Sequence, residues 1–372
     1  MTVRYITVTR DVRMFKPATR SFGDIAIIGG VSGGTGPKLT PIPVTNPISV
    51  SDASNVAGKD KPIDDALWFP GDLGASVKTT FNQTPGPTTV WAVAVNSIAT
   101  DLTAALGLVA NLDVQFVVIA NRPLGTGGTN RTDIEALAAH VKTVSNTGGD
   151  GKERMGVAML AKGIIDVTLV TTAMVDDRMV IVAHKADDDA AAAVAGTIAG
   201  YEPHISVLLK PVTASMNSLF SDSEIQGFDT ARVNWLTDPV LIPGRGLFMG
   251  EGYTLGSGAP YIDIVRTVDD ISFRLKAALI RSIGDVRITR SGLRTLASQM
   301  SAVLQPLQDR GVIESYDIFM SLQPLLDKEP ATLTPVELQR IADAQNSRIL
   351  DAIVSVDYAG AIHRLNITLR FV

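Results

Sequence analysis

Short apolar runs recur through the middle of this chain, and segments with the marks of helices separate most of them. Residues 90–95 (Val-Trp-Ala-Val-Ala-Val), 114–120, 156–160, 179–183 and 205–208 are such runs. Continuous apolarity at this length predicts strands buried on both faces. Residues 101–109, 132–144 and 187–199 suit helices. The second has Thr132 or Asn130 as its cap and acids in its first turn; the third opens on Asp187, Asp188 and Asp189, where the helix dipole favours negative charge. Strands alternating with helices at this spacing predict an α/β layer with a largely parallel sheet.

Other elements flank that layer. Residues 25–28 form a short apolar strand leading into a Gly-rich turn at 29–36. Residues 37–90 hold eight prolines and few helix signals, which predicts short strands and loops. Beyond Tyr261 the pattern changes again. A helix is expected over 269–283, stopped by Gly284, and a longer one over 291–310, capped by Ser291 and ended by Gly311. Thr334-Pro335-Val336-Glu337 is a further helix start. Residues 349–358 and a turn at Gly360 lead to the final strand.

Both ends of the sequence read as strands. Leu365, Ile367, Leu369 and Phe371 alternate with Arg364, Asn366, Thr368 and Arg370, and residues 3–9, with Val3, Tyr5 and Thr7, are similarly β-favouring. Such a strand needs a partner, either its own sheet or a neighbouring subunit's by strand addition.

Composition narrows the classes of function. A length of 372 residues predicts two or three domains. The net charge of −5 argues against nucleic acid as the main partner. The absence of cysteine excludes disulfides, thiol catalysis and cysteine-based zinc sites. Arg4, Arg10 and Arg13 interrupt any signal-peptide layout, and no apolar run reaches the ~18 residues of a membrane span. Assembly in a cytoplasm is therefore expected.

Candidate chemistry is sparse. His140, His184, His204 and His363 show no metal-ligand spacing, so no metal or cofactor is expected. The turn at 29–36 lacks a phosphate-loop lysine, and Pro37 and Pro41 block the helix such a loop needs. The loop at 121–133 lies between a strand and a helix, but its glycines, Gly125, Gly127 and Gly128, lack dinucleotide spacing. No nucleophile elbow precedes a helix. Asp176-Asp177 and Asp187–Asp189 read as solvated caps. One cluster stands out: Arg274, Lys276, Arg281, Arg287, Arg290 and Arg294 lie together with a single acid, Asp285. That is either a solvated helix face or a docking surface for an acidic partner.

In their order, these features resemble the contractile tail sheath proteins of myophages, R-type pyocins and contractile injection systems. The resemblance rests on the 24–29 strand and turn (Asp-Ile-Ala-Ile-Ile-Gly), the Pro-rich region, the α/β portion, and Pro243-Gly244-Arg245-Gly246-Leu247-Phe248-Met249-Gly250-Glu251-Gly252-Tyr253-Thr254-Leu255. It continues through Tyr261-Ile262-Asp263-Ile264-Val265-Arg266-Thr267-Val268, with Thr267 where the family has a second arginine, then the long helix, the turn at 311–313 and the β-like end. Where the family often has Phe-Phe-x-Asn-Gly-Gly, this chain reads Ala75-Ser76-Val77-Lys78-Thr79-Thr80-Phe81-Asn82-Gln83.

The resemblance implies an N-terminal arm (1–22), a Pro/Gly-rich β region (23–89), a subtilisin-like α/β domain without a protease triad (90–260), an α+β C-terminal sheath domain (261–362) and a C-terminal β arm (363–372). It implies a structural subunit rather than an enzyme. Such a subunit polymerises as stacked helical rings around an inner tube protein, meets baseplate and tail terminator proteins, and contracts to drive the tube through an envelope, without cofactor, nucleic acid or membrane insertion. It implies arms exchanged between neighbours through Val3, Tyr5, Thr7, Leu365, Ile367, Leu369 and Phe371, and a tube-facing strip at Arg281, Arg287, Arg290 and Arg294. The particle would be a virion tail or contractile device assembled in a bacterial cytoplasm. The residues leave two other readings open: an α/β enzyme using the 121–133 loop, and a type VI secretion sheath-like subunit.

Overall fold

The computed structural model describes residues 23–31, 33, 36–48, 61–65, 68–146, 152–239 and 246–363. In chain order they form β1 (Ile25–Gly30), β2 (Pro41–Val44), α1 (Asp72–Phe81), β3 (Val90–Val95), α2 (Ile98–Val109), β4 (Phe116–Ile119), α3 (Arg131–Ser145), β5 (Met155–Met159), β6 (Met179–Ala183) and α4 (Ala190–Gly200). Then come β7 (Pro211–Val212), α5 (Asp222–Ala231), β8 (Asn234–Thr237), β9 (Leu247–Met249), α6 (Ile262–Leu279), α7 (Arg290–Asp309), β10 (Ile313–Met320), α8 (Gln323–Asp327), α9 (Pro335–Ser347) and β11 (Ala352–Tyr358).

Among the described residues the first nine strands make one sheet, ordered β2-β3-β1-β4-β5-β6-β8-β9-β7. The six from β3 to β8 run parallel, and β2, β9 and β7 add antiparallel edges. Helices cover both faces, as the apolar runs require. Along β1, Ile25 and Ile27 face a core shared with α1 and α4, while Ala26 and Ile28 face one shared with α2 and α3. Because β1 lies between β3 and β4 with Ile27 opposite Ala92 and Val118, the described elements before residue 90 share one core with the layer expected to begin there, and β1 and β2 share its sheet.

Helix α1 corrects the expectation of strands and loops over 37–90. Its Gly74, Val77, Thr79 and Thr80 are weak helix formers, so propensity does not announce it. It is held instead by burying Leu73, Ser76, Val77 and Thr80, largely against α4. Helix α4 is buried along its length, and its alanines let α1 approach closely. A Cβ on Gly196 would overlap the Thr80 carbonyl oxygen.

Three other expectations shift. Residues 205–208 are a turn, not a strand: the Ser206 hydroxyl accepts the Leu208 amide at 3.3 Å, and only Pro211–Val212 joins the sheet. Helix α6 begins at Ile262 rather than 269, because Ile262 and Val265 enter the body's core. Thr289, not Ser291, caps α7, accepting the Gly292 amide at 3.2 Å. Gly284 and Gly311, at φ 94° and 69°, follow the helices as expected.

The C-terminal unit packs α6 and α7 against an antiparallel pair of strands, β10 and β11, with Tyr316 opposite Val356 and Ile318 opposite Val354. Leu293, Met300, Met320 and Leu322 fill a second small core, which Leu325 and Leu326 border from α8. Phe319 and Ile353 pair on the other face of these two strands and are exposed.

Glycine-to-alanine in a helix ordinarily gains up to ~1 kcal/mol. At Gly196 we expect the opposite sign, a loss of about 1–3 kcal/mol from overpacking against α1. Chemical unfolding of Gly196→Ala measures it, and a stabilised variant would disprove the close α1–α4 approach.

Candidate functional site

The arm residues Val3, Tyr5, Thr7, Leu365, Ile367, Leu369 and Phe371 lie outside the described residues. The basic cluster is described, and the chain itself engages much of it. Arg274 binds Asp270 at 2.8 Å and Lys276 binds Glu153 at 2.6 Å. Arg290 and Arg294 converge on Asp327 at 3.0 and 2.9 Å, and Arg290 also donates to the Leu326 and Asp327 carbonyls ending α8. Cations at a helix C-terminus are favourable there. Arg281 and Arg287 are exposed.

The other sequence candidates are used structurally. Within the 121–133 loop, the Gly125 amide bonds the Thr129 carbonyl and the Gly128 amide bonds that of Gly125, so the loop spends these donors on itself. A Cβ at Gly29 would press Leu73 and Ala120 at 2.8 Å, so this glycine of the earlier turn serves packing. Asp189 is not a solvated cap. It is buried, caps α4 through the Ala192 amide at 3.0 Å, and accepts Ser76 Oγ at 2.6 Å and the Asn121 amide at 2.8 Å. His140 is held neutral by burial and by the charge of Arg154, which lower its pKa to about 4. Among the described residues no group of acids and histidines could hold a metal, and no helix is long and apolar enough to cross a membrane.

Polar side chains concentrate where the α/β body meets the C-terminal unit. Arg178, beside β6, grips Asp269 of α6 with both Nη atoms, at 2.5 and 2.8 Å. Burial opposes the Arg178 charge, but the Asp269 bonds outweigh it and its pKa rises. Arg266 of α6 is buried over Phe116 and donates to the Tyr201 carbonyl at 2.7 Å; burial lowers its pKa to about 10. The Tyr358 hydroxyl, at the end of β11, donates to buried Asp263 at 2.7 Å, and burial followed by this carboxylate pushes the phenol's pKa up.

The stretch at 250–255 forms the body's side of this junction. The Asn234 side chain accepts the Tyr253 amide at 2.7 Å and donates to the Tyr253 carbonyl at 2.9 Å, and Thr254 Oγ donates to the Ala259 carbonyl at 2.6 Å. Glu251 is buried, and its Oε1 lies 2.6 Å from His363 Nδ1, while Ser206 Oγ lies 3.0 Å from His363 Nε2. The sequence has no nucleophile elbow, yet the fold brings Ser206, His363 and Glu251 together as a Ser-His-Glu relay. The relay supplies a base and its orienter. Acyl transfer also needs donors aimed at a developing oxyanion. The nearby Leu208 amide points at Ser206 Oγ instead.

Neither a protein-family model nor a curated protein matches the sequence. Solved structures do match over its whole length. A chain of the anti-feeding prophage baseplate in its contracted state aligns with TM-score 0.63 at 15% identity, covering 100% of this chain and 98% of that one. A chain of the sheath complex of an extracellular contractile injection system, PVC, in its contracted state gives 0.62 at 16%, with the same coverage. The sheath tail protein of Desulfitobacterium hafniense gives 0.56 at 12%, covering 86% of this chain and 93% of its own. This chain has the fold of contractile sheath proteins.

The Arg178–Asp269 pair fastens the junction of body and C-terminal unit, with side chains 20% and 13% exposed. Removing one partner costs about 3–5 kcal/mol for a fully buried pair and ~0–1 kcal/mol for an exposed one, and this part-buried pair falls between. For Asp269→Ala we expect urea unfolding to show a loss between those two ranges, with reduced exchange protection in α6. A loss no larger than at an exposed pair would show that the junction does not depend on it.

Proposed function

We propose that this chain is the subunit of a contractile sheath, polymerising helically around an inner tube and contracting to drive that tube through a target envelope. The observation that carries the reading is the extent of the likeness to the PVC sheath chain, 100% of this chain and 98% of that one. A domain borrowed for another purpose would match over the body alone.

The two-stranded sheet of the C-terminal unit supports the reading. Within the described residues β10 and β11 pair only with each other, so each keeps an open edge. Beside it runs an apolar groove lined by Ile264, Val268, Ile271 and Leu275 of α6 and Val354 and Val356 of β11. An open edge beside apolar surface suits strand addition from a neighbour. In this proposal the arms at Val3, Tyr5 and Thr7 and at Leu365, Ile367, Leu369 and Phe371 are the added strands. The product is a homopolymer, since a head-to-tail contact that does not close makes an open helix. The particle is a phage-like tail or injection device assembled in a bacterial cytoplasm.

Electron microscopy of the purified chain should show tubes or polysheath. Deleting residues 365–372 should leave a folded body that does not polymerise; regular sheaths from the truncated chain would refute arm exchange.

For tube docking we propose Arg281, Arg287, Arg290 and Arg294. Reversing Arg290 or Arg294 would also set a new carboxylate against Asp327, so the cleaner test is Arg281→Glu with Arg287→Glu. Each exposed contact is worth ~0–1 kcal/mol, yet repetition along a sleeve adds them. The double variant should form empty polysheath in preference to sheath on tube. Equal assembly on tubes at low and moderate salt would remove the strip from the docking surface.

A further inference from the structure

The segment following β11 inverts the usual rule of burial. Ala359, Gly360, Ala361 and Ile362 are exposed, Ile362 at 81%. The next residue, His363, turns inward until its side chain is only 10% exposed. A segment that leaves isoleucine in water and buries histidine is being placed by specific polar partners rather than by apolar area.

Those partners are built into the body. Glu251, 3% exposed, follows β9, and its Oε1 takes the Gly252 amide at 3.1 Å and His363 Nδ1 at 2.6 Å. Ser206 reaches Nε2 from the turn before β7 at 3.0 Å, its oxygen already fixed by the Leu208 amide. Tyr261, at the start of α6, lays its ring 4.5 Å from the imidazole. Three separate parts of the chain thus converge on one side chain.

We propose that Glu251, Ser206 and Tyr261 form a receptor for His363, a latch that ties the segment after β11 to the α/β body at that residue. The Nδ1–H donates to the carboxylate, and Nε2 either accepts the Ser206 hydroxyl proton or, when protonated, donates to the same oxygen. The latch therefore holds with the ring neutral or charged. His363 is a positioning residue: it fixes residues 359–363 against the body, while Tyr358 on Asp263 secures the strand before it. The latch belongs to the single chain, so it does not depend on whether the chain forms a sheath.

The bond between Arg364 and Leu365 gives a direct readout, because trypsin must draw His363 out of its receptor to bind there. In the full-length protein, with rates normalised to the same bond in denatured chain, His363→Ala should raise cleavage by about tenfold or more, as expected when a charge-assisted hydrogen bond is lost from the closed state. His363→Gln, which keeps a donor and an acceptor, should recover part of the protection. Ile362→Ala should match the parent. Exchange protection within the body should be unchanged in His363→Ala. Cleavage of His363→Ala at the parent rate would overturn the latch. So would labelling of Ser206 by a fluorophosphonate, which would make the relay a nucleophilic site; absence of labelling supports the latch.

Discussion

Helix α6 belongs to two cores at once, and the arrangement of the molecule depends on that sharing. Ile262 and Val265 are part of the body's core, and Ile271, Leu275 and Leu279 are part of the C-terminal cores. Its 18 residues span about 27 Å as a single rod. A flexible linker would let the two units reorient freely. A helix buried at both ends makes reorientation cost apolar burial, and Arg178, Arg266 and Lys276 add ionic and hydrogen-bonded ties along the same rod.

The two ends of the rod differ in kind. The body is a sheet covered on both faces, with an alanine-rich helix packed so closely that alanine does not fit at Gly196. The C-terminal unit rests on two small cores and leaves Val268, Ile280, Ile283, Phe319 and Ile353 exposed. Local opening follows the density of buried apolar contacts, so the body behaves as a block and the C-terminal unit yields first.

The parallel strands were legible because burial on both faces forces continuous apolar runs. Residues 90–95 and 179–183 are predicted to the residue. The run at 205–208 has the same look, but the Ser206 side chain makes a turn there that apolarity cannot reveal. Helix α1 was hidden by weak helix formers whose support comes from α4, more than a hundred residues away. Helix α5 did carry a signal, the Ser221–Glu224 capping box, which the spacing of serine and glutamate could have disclosed. The junction was legible only in fragments. The resemblance marked out 250–255 and 261–268, yet nothing in the order of residues joins Ser206 to His363 across 157 positions.

Within the described residues β10 and β11 make a sheet of only two strands. Two strands are marginal alone, and here helices on one side supply what further strands otherwise would. Any strand that docks on an edge of this sheet binds its folded form and not its unfolded one, so it draws the folding equilibrium forward by mass action. If that strand comes from another copy of the chain, stability stops being a property of the molecule. It becomes a function of concentration, with each copy better folded in company than in isolation.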